Sequence, residues 1–360
     1  MKFDVVVGNP PYQEQIAKKE SDNGQKRVTN VFQHFQLLAN RVTSQYSSLI
    51  YPGGRWIHRS GKGMDSFGLE QINDPKLQKL IFYPDASQVF QGVAIADGIS
   101  IVVKNQNKTS SDFQYEWIKG QDRKTATVLA PGEKLLQLNP DDMPIARKID
   151  DFVAENELGF VSESPVINQK LFKIESDFAA THPDKVRPLP VDGTFNPETE
   201  IKLLTNDKPG KAGRATWFAA HKDVITTNAN LVSEWQVAVS SANAGGQKRD
   251  NQIGIVDNHS AFGRSRLALK SFKTETEANN FLKYAKSYVI RYAFLLTDEA
   301  LSSLGQEVPD IKSYIDGNKY IDFSVDVDSQ LKRLLGITDA EFEYIVQRVD
   351  NVRNSSAKTE

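Results

Sequence analysis

The sequence contains no cysteine. Disulfide scaffolds, thiolate zinc sites, iron–sulfur clusters and cysteine nucleophiles are therefore excluded. The few histidines are scattered without paired metal-ligand spacing, so we predict no metal site; they are His34, His58, His182, His221 and His259. The chain also lacks a run of about 18 apolar residues, and its first residues lack the apolar core of a signal peptide. We therefore expect a cytoplasmic protein.

A net excess of either charge is missing too. The 360 residues include 44 Lys and Arg against 46 Asp and Glu, a formal charge of −2 that excludes a uniformly basic nucleic-acid-binding surface. Residues 201–291 are locally basic, with fourteen Lys or Arg against seven Asp or Glu. This excess of seven positive charges suits a duplex DNA partner, or it is a solvated surface rich in lysine.

Hydrophobic patterns divide the chain into two parts. The first part alternates predicted strands and helices: a buried parallel strand at 3–8, a helix at 31–42, a strand at 48–51, a helix at 65–73, and strands at 80–83, 93–95 and 99–103. This order predicts an open α/β sheet that closes with an antiparallel hairpin. The remainder is more polar and proline-rich, with short strands such as 235–239 and a terminal helix from Asp339 to Arg353, which predicts a mixed α+β domain.

The length supports the same division. At roughly 150 residues per domain, this chain is expected to form two. We place the boundary between residues 105 and 150, and assign the domains to 1–125 and 126–360.

The most informative motif, Asn9-Pro10-Pro11-Tyr12, directly follows the first strand. An amino group conjugated to an aromatic ring is a poor nucleophile because its lone pair is delocalised. If the Asn9 side-chain oxygen and the Pro10 carbonyl each accept one N–H, the nitrogen is held towards tetrahedral geometry and its developing positive charge faces two oxygens. Proline presets this geometry because it fixes its own φ and keeps the preceding residue extended. The alternative is a turn that merely ends a strand.

The wider stretch from Phe3 to Gln13 resembles the N6-adenine DNA methyltransferases of restriction–modification systems. The similarity is greatest to the large type IIG and single-chain type I enzymes, in which modification and cleavage share a chain. Later blocks of the family are matched in the same order by Pro52 to Trp56, by Gly61-Lys62-Gly63 with Phe67, and by Val89 to Ile99. A weaker resemblance covers Glu275 to Arg291, at the end of the family's target-recognition region.

The resemblance implies a partial Rossmann-like methyltransferase sheet in residues 1–125 and a DNA target-recognition domain with C-terminal helices in 126–360. Asn9 and Pro10 would hold the adenine amino group, with Pro11 completing the motif, and Tyr12 would stack on a base flipped out of the duplex. Phe90 would cover the other face of the base, unless it is a core aromatic. Arg55 and Lys62 would contact phosphate, unless they are solvated loop charges.

Four basic residues of the locally positive segment are predicted to contact double-stranded DNA. Lys248 and Arg249 follow a Gly-Gly pair that suits entry into a groove. Arg264 and Arg266 alternate along a predicted strand and would therefore point to the same face.

The cofactor implied by the resemblance is S-adenosylmethionine, but its glycine-rich binding loop is not found in this chain. The family carries that loop upstream of the Asn-Pro-Pro-Tyr motif, so we expect an upstream segment or a second polypeptide to supply it. The isolated chain is then expected to be inactive, with an exposed sheet edge. Two alternatives stay open: a methyltransferase acting on protein glutamine or ribosomal RNA, and a non-catalytic DNA-binding specificity module or inactive remnant.

Overall fold

In the computed structural model, the described residues are 2–15, 28–59, 63–92, 95–210, 213–241, 252–297 and 303–357. The chain divides into two compact units, Met1–Pro144 and Ile145–Glu360. The division lies inside the expected interval of 105–150, and residue 125 falls within a strand of the first unit. The first unit contains β1 (Phe3–Gly8), β2 (Gln13–Gln15), β3 (Val28–Asn30), α1 (Phe32–Val42), β4 (Thr43–Pro52), α2 (Gly54–Ile57), α3 (Met64–Ile72), β5 (Leu77–Tyr83), β6 (Ile99–Asn105), β7 (Asp112–Lys119) and β8 (Asp122–Leu129).

The first unit is an α/β domain with a six-stranded mixed sheet in the order β1-β4-β6-β5-β7-β8. β1 pairs in parallel with β4, while β6 lies antiparallel between β4 and β5. β7 is parallel to β5 and forms an antiparallel pair with β8. Four strands, β1, β4, β5 and β7, therefore run in one direction, and their carboxyl ends lie at one end of the sheet.

Aromatic side chains join α1, α2 and α3 to one face of this sheet. The Phe32 ring of α1 stacks on Tyr51 of β4 with ring centroids 4.8 Å apart. Phe67 of α3 and Trp56 of α2 complete the group, with centroids 6.1 Å apart. Polar atoms within it are paired: the Trp56 Nε1 donates to Ser100 Oγ at 3.0 Å, and the Tyr51 hydroxyl donates to Gln36 at 3.1 Å. The carboxyl end of β4 is thereby fixed to its neighbours.

The two edge strands of the sheet differ in their side chains. Along β1, Phe3, Val5 and Val7 are 46%, 58% and 73% exposed, and only Val6 packs against the core. The prediction that this strand is buried is therefore wrong, because within the described residues β1 pairs only with β4. Along β8 the exposed side chains are mostly charged or hydroxylated: Asp122, Arg123, Thr125, Thr127 and Leu129.

The second unit is α+β. It contains α4 (Met143–Glu155), which begins at the boundary, followed by β9 (Gly159–Phe160), α5 (Phe178–Thr181), β10 (Val186–Pro188), β11 (Glu200–Asn206), β12 (Ala215–His221), β13 (Trp235–Ser240), β14 (Ile253–Val256), β15 (Ser260–Phe262), β16 (Arg266–Phe272), α6 (Glu275–Lys286), α7 (Tyr288–Leu295), β17 (Pro309–Asp310), α8 (Val327–Leu334) and α9 (Asp339–Ala357).

Three small sheets build the second unit, in the orders β10-β12-β11-β15, β14-β13-β16 and β17-β9. Helices α4 and α6 to α9 share one hydrophobic core with β13 and β16. The predicted strand 235–239 and the predicted terminal helix are both present. Every helix in the described part of the chain is too short or too polar to span a bilayer.

The predicted closing hairpin is wrong in its partners. Ile95 is not in a strand, and Val93 and Ala94 lie outside the described residues. Instead, Ile99–Asn105 inserts between β4 and β5, and the terminal hairpin of the sheet is β7–β8. The prediction paired residues 99–103 with the strand predicted just before them in the sequence, at 93–95. The observed pairing joins segments about fifty residues apart, such as Leu49 and Val102.

Candidate active site

Four sequence blocks that the resemblance singled out meet at one end of the sheet. The motif Asn9–Tyr12 follows β1, and Pro52–Trp56 continues from β4. The segment leading to Phe90 follows β5, and Asp97-Gly98 precedes the antiparallel β6. In open α/β sheets, ligands bind beyond the carboxyl ends of the strands, so this end is the candidate active site.

The Asn9 side chain is exposed, while Pro10 is buried beside it. Among the described residues, neither the Asn9 side chain nor the Pro10 carbonyl has a hydrogen-bond partner. Both acceptors at the end of β1 are therefore available to a ligand. The loop itself is held further on, where the Val31 N–H donates to the Tyr12 carbonyl at 3.1 Å.

Tyr12 is half-buried and its ring packs against the core of the first unit. Its hydroxyl is enclosed without a hydrogen-bond partner among the described residues, and this burial raises the pKa of the phenol. The ring therefore accounts for the packing of Tyr12, since a buried hydroxyl without a hydrogen bond does not stabilise the fold. A phenylalanine ring would provide the same flat surface.

A cavity of about 170 Å³ lies next to the motif. Three of the four blocks, or residues next to them, contribute to its lining, together with residues of β3, α1 and α3; the lining residues are Gln13, Asn30, Phe32, Pro52, Arg55, Met64, Ile95, Ala96 and Asp97. The Arg55 side chain is 63% exposed, with its Nε 4.0 Å from Asp97 Oδ1. The structure thus places the predicted phosphate-binding Arg55 beside the motif.

Asp97 holds this region together, and the sequence interpretation missed it. Its Oδ1 accepts from the Arg55 N–H at 2.7 Å, and its carbonyl accepts from the Gly54 N–H at 2.7 Å. The next residue, Gly98, has φ +66°, and a Cβ there would lie 2.5 Å from the Tyr83 carbonyl oxygen. Only glycine fits that position. The Asp-Gly dipeptide was a signal for this turn, but not for its contact with Gly54.

Phe90 is half-buried in the segment after β5. Within the described residues it makes no ring contact with Tyr12. The segment before it lines a second, more open cavity of about 580 Å³, which shares Ile95 and Ala96 with the first. The loops carrying Tyr12 and Phe90 therefore flank the same short segment, without forming a closed aromatic sandwich.

Neither of these two cavities, as the described residues form them, fits S-adenosylmethionine. The cavity beside the motif is smaller than the roughly 300 Å³ at which ligand pockets begin. Among the described lining residues of the larger one, Asp85 alone is charged, and its Oδ1 accepts from the Ser87 N–H at 3.0 Å and from the Ser87 hydroxyl. Across the described part of the chain, no group of three or more His, Asp or Glu could hold a metal ion.

The predicted DNA contacts are distributed unevenly. Lys62, Lys248 and Arg249 lie outside the described residues. Arg264 precedes β16 instead of lying in it, so the expectation that it alternates with Arg266 along one strand is wrong. The local charge count also overstates the free cations, because several are paired: Lys202 with Asp257, Arg264 with Glu175, Lys270 with Asp310 and Lys273 with Glu234.

Comparison with known families identifies the first part of the chain. Residues 1–90 match the Eco57I restriction-modification methylase family. The matched segment includes Asn9–Tyr12, Arg55 and Phe90. The predicted resemblance to restriction–modification methylases is therefore confirmed over these residues. None of the curated proteins matches the chain.

Several solved structures are similar over part or most of the chain. The modification subunit of a putative type I restriction enzyme from Vibrio vulnificus YJ016 is 10% identical, with a TM-score of 0.27, covering 39% of this chain and 40% of that one. The type IIG restriction endonuclease BpuSI is 10% identical, with a TM-score of 0.35 and coverage of 98% and 54%. The type IIL restriction-modification enzyme MmeI, in complex with DNA, is 8% identical, with a TM-score of 0.35 and coverage of 97% and 57%. The chain thus spans between 40% and 57% of the length of these proteins.

Proposed function

We propose that this chain is the catalytic-motif and DNA-recognition part of a site-specific DNA methyltransferase that modifies the N6 amino group of adenine in a restriction–modification system. The observation that carries the proposal is a pair of acceptors, Asn9 and Pro10, at the carboxyl end of β1 inside the segment that matches the methylase family; neither has a hydrogen-bond partner among the described residues. Their position beyond a parallel strand supports a ligand-binding role.

The chemistry follows from two acceptors facing one amino group. The Asn9 oxygen and the Pro10 carbonyl each accept an N–H of the flipped adenine, which directs the nitrogen lone pair away from the ring. As positive charge develops on that nitrogen, the two oxygens stabilise it. Tyr12 is proposed to offer its ring to the base, Phe90 to cover the other face, and Arg55 to meet a flanking phosphate.

The methyl donor is proposed to be S-adenosylmethionine, held by an upstream segment or a second polypeptide. The outer edge of β1 supports this proposal, because it pairs with no other strand among the described residues and its backbone groups can accept one. Phe3, Val5 and Val7 would be buried by the elements that accompany that strand. The added polypeptide is proposed to hold the donor next to Asn9, at the carboxyl end of β1.

The second unit is proposed to place the duplex so that one adenine reaches the motif. Lys62, Lys248, Arg249, Arg264 and Arg266 are the proposed DNA-contacting residues together with Arg55. We further propose that the protein works in the cytoplasm.

The test is methyl transfer from radiolabelled S-adenosylmethionine to duplex DNA, followed by mass spectrometry of the digested nucleosides. We expect no transfer by the chain alone, and N6-methyladenine when a polypeptide carrying the cofactor-binding strands is added. Methylation by the chain alone contradicts the split cofactor site, and another methylated base contradicts the adenine assignment. Transfer to ribosomal RNA or to protein glutamine instead of DNA favours that alternative substrate class.

A non-catalytic DNA-binding module is the second candidate, because neither of the two cavities near the motif, as the described residues form them, fits S-adenosylmethionine. It differs from the first in one respect: sequence-selective DNA binding persists, but adding the cofactor-binding polypeptide never yields methylated DNA. Gel-shift measurements on the samples used for methyl transfer therefore separate the two candidates: binding together with methylation supports the first, and binding without methylation supports the second.

A further inference from the structure

Arg264 and Arg266 differ in how their charges are satisfied, although only one residue separates them. Arg264 is ion-paired, with its Nη1 2.9 Å from Glu175 Oε2. Its positive charge is therefore matched by a carboxylate of the same unit. A ligand that binds Arg264 has to compete with Glu175.

Arg266 is the first residue of β16, and its Nε is buried without a hydrogen-bond partner among the described residues. It forms no ion pair there either. Removal from water lowers the pKa of its guanidinium, and no neighbouring charge offsets this effect. The group nevertheless stays protonated, because an arginine does not lose its proton in proteins. A partly buried, uncompensated charge destabilises the folded state.

The surroundings of Arg266 suggest where a partner would bind. β16 is an edge strand of the sheet β14-β13-β16, and Arg266 lies opposite Ser240, the last residue of β13. The preceding residue, Ser265, also has a buried hydroxyl without a partner in the described part of the chain. Two polar groups without partners among the described residues thus adjoin each other at the start of β16, where Arg266 is only partly buried. The Arg266 terminal nitrogens are not enclosed in this way.

We propose that Arg266, and not Arg264, is the specificity-determining arginine of the second unit, and that its guanidinium binds the O6 and N7 acceptors of a guanine in the duplex. The proposal rests on the proposed DNA-recognition function. A guanine edge suits Arg266 because burial of Nε restricts the orientation of the planar guanidinium. Two parallel hydrogen bonds to O6 and N7 require such a fixed orientation. Mobile surface lysines can meet phosphate without that restriction.

The experiment compares Arg266→Met, Arg266→Lys and the matched control Arg264→Met in the full chain. Each variant is incubated with a library of duplexes of random sequence, and the bound fraction is sequenced. We expect the wild type and Arg264→Met to select the same guanine-containing site. Arg266→Met and Arg266→Lys should lose preference at one guanine position by about tenfold to a hundredfold, with the other positions retained.

Thermal unfolding without DNA provides the second readout. Arg266→Met should unfold at a higher temperature than the wild type because it removes an uncompensated buried charge, whereas Arg264→Met should not. A lower unfolding temperature with unchanged selection means that Arg266 is structural and overturns the proposal.

Two further outcomes also overturn it. Uniform weakening on all sequences, with the salt slope reduced by about one, identifies a phosphate contact. If the wild type selects no sequence at all, the DNA-recognition function itself fails, and Arg266 loses its proposed role with it. A loss confined to one guanine position in the Arg266 variants distinguishes the proposal from both.

Discussion

The two edges of the six-stranded sheet are built differently. At β8 the exposed side chains are mainly charged or threonine, and Arg123 is held 3.0 Å from Glu116 of the neighbouring strand. At β1 the exposed side chains are Phe3, Val5 and Val7. Charges and polar groups keep an edge strand from pairing with other chains, and β1 has only Asp4 for this purpose.

This difference indicates which edge can remain in water. β8 closes the sheet, whereas β1 has the composition of an interior strand. The proposed catalytic motif follows β1, and nothing comparable follows β7, where the chain turns directly into β8. The edge with exposed apolar side chains and the candidate active site are thus the same part of the molecule.

The largest expected effect is on the rate of methyl transfer, and it should differ between a substitution next to β1 and a matched one next to β8. Asn9→Ala should lower methyl transfer by the complemented enzyme more than a hundredfold, because one of the two acceptors on the amino nitrogen is lost. Gln121→Ala removes an amide at the same end of the sheet, next to β8, and should leave the rate within about twofold. The measurement is single-turnover transfer from labelled S-adenosylmethionine. A loss below about threefold for Asn9→Ala removes Asn9 from the proposed mechanism.

An intermediate effect is expected from a lysine on each edge strand. Val7→Lys places a charge where a second polypeptide is proposed to cover β1, and should weaken its binding about thirtyfold, the size typical of a central contact. Thr127→Lys makes the same change on β8, which already exposes charged residues, and should have little effect. Isothermal titration with the cofactor-binding polypeptide measures both. Equal losses for the two variants would show that the edges do not differ in function.

The smallest effect is the pH dependence expected of Glu116, which lies on β7 next to β8. The Lys79 ammonium, which donates to Glu116 at 2.7 Å, lowers the pKa of that carboxyl, and Arg123 acts in the same direction. The lowered pKa means that Glu116 stabilises the fold fully above the ordinary Glu value of about 4.3, and this contribution is lost as the pH falls through the lower folded value.

The check is urea unfolding of the wild type and Glu116→Gln at several pH values. At neutral pH the variant should be less stable by about 1 kcal/mol. The difference should shrink as the pH falls below 4.3. A difference that stays constant down to strongly acidic pH contradicts the assigned role of the carboxylate.

Much of the first unit could be predicted from local patterns, because its strands and helices have clear periodicity and the motif is contiguous. The helix at 31–42 and the strand at 48–51 needed no tertiary information. The insertion of β6 between β4 and β5 could not be predicted, since it depends on pairing between distant segments. Asp97 was missed for the same reason: its contacts with Gly54 and Arg55 span more than forty residues.

The second unit was less predictable because its proposed function depends on unpaired charge. A count along the sequence treats Arg264 and Arg266 alike. Only the structure shows that Glu175, nearly ninety residues away, neutralises the first and not the second. The DNA-contacting roles of all the predicted basic residues stay predictions.

The Asn9 amide is exposed and has no hydrogen-bond partner among the described residues, which has a chemical consequence for the durability of the protein. Exposed asparagines age by deamidation when the backbone nitrogen of the next residue attacks the side-chain amide and closes a succinimide ring. Here the next residue is Pro10, whose backbone nitrogen carries no hydrogen and cannot complete that ring closure. The proline that directs the proposed acceptor carbonyl therefore also protects its neighbour from conversion to aspartate. Asn9 can remain accessible without acquiring a negative charge as the protein ages.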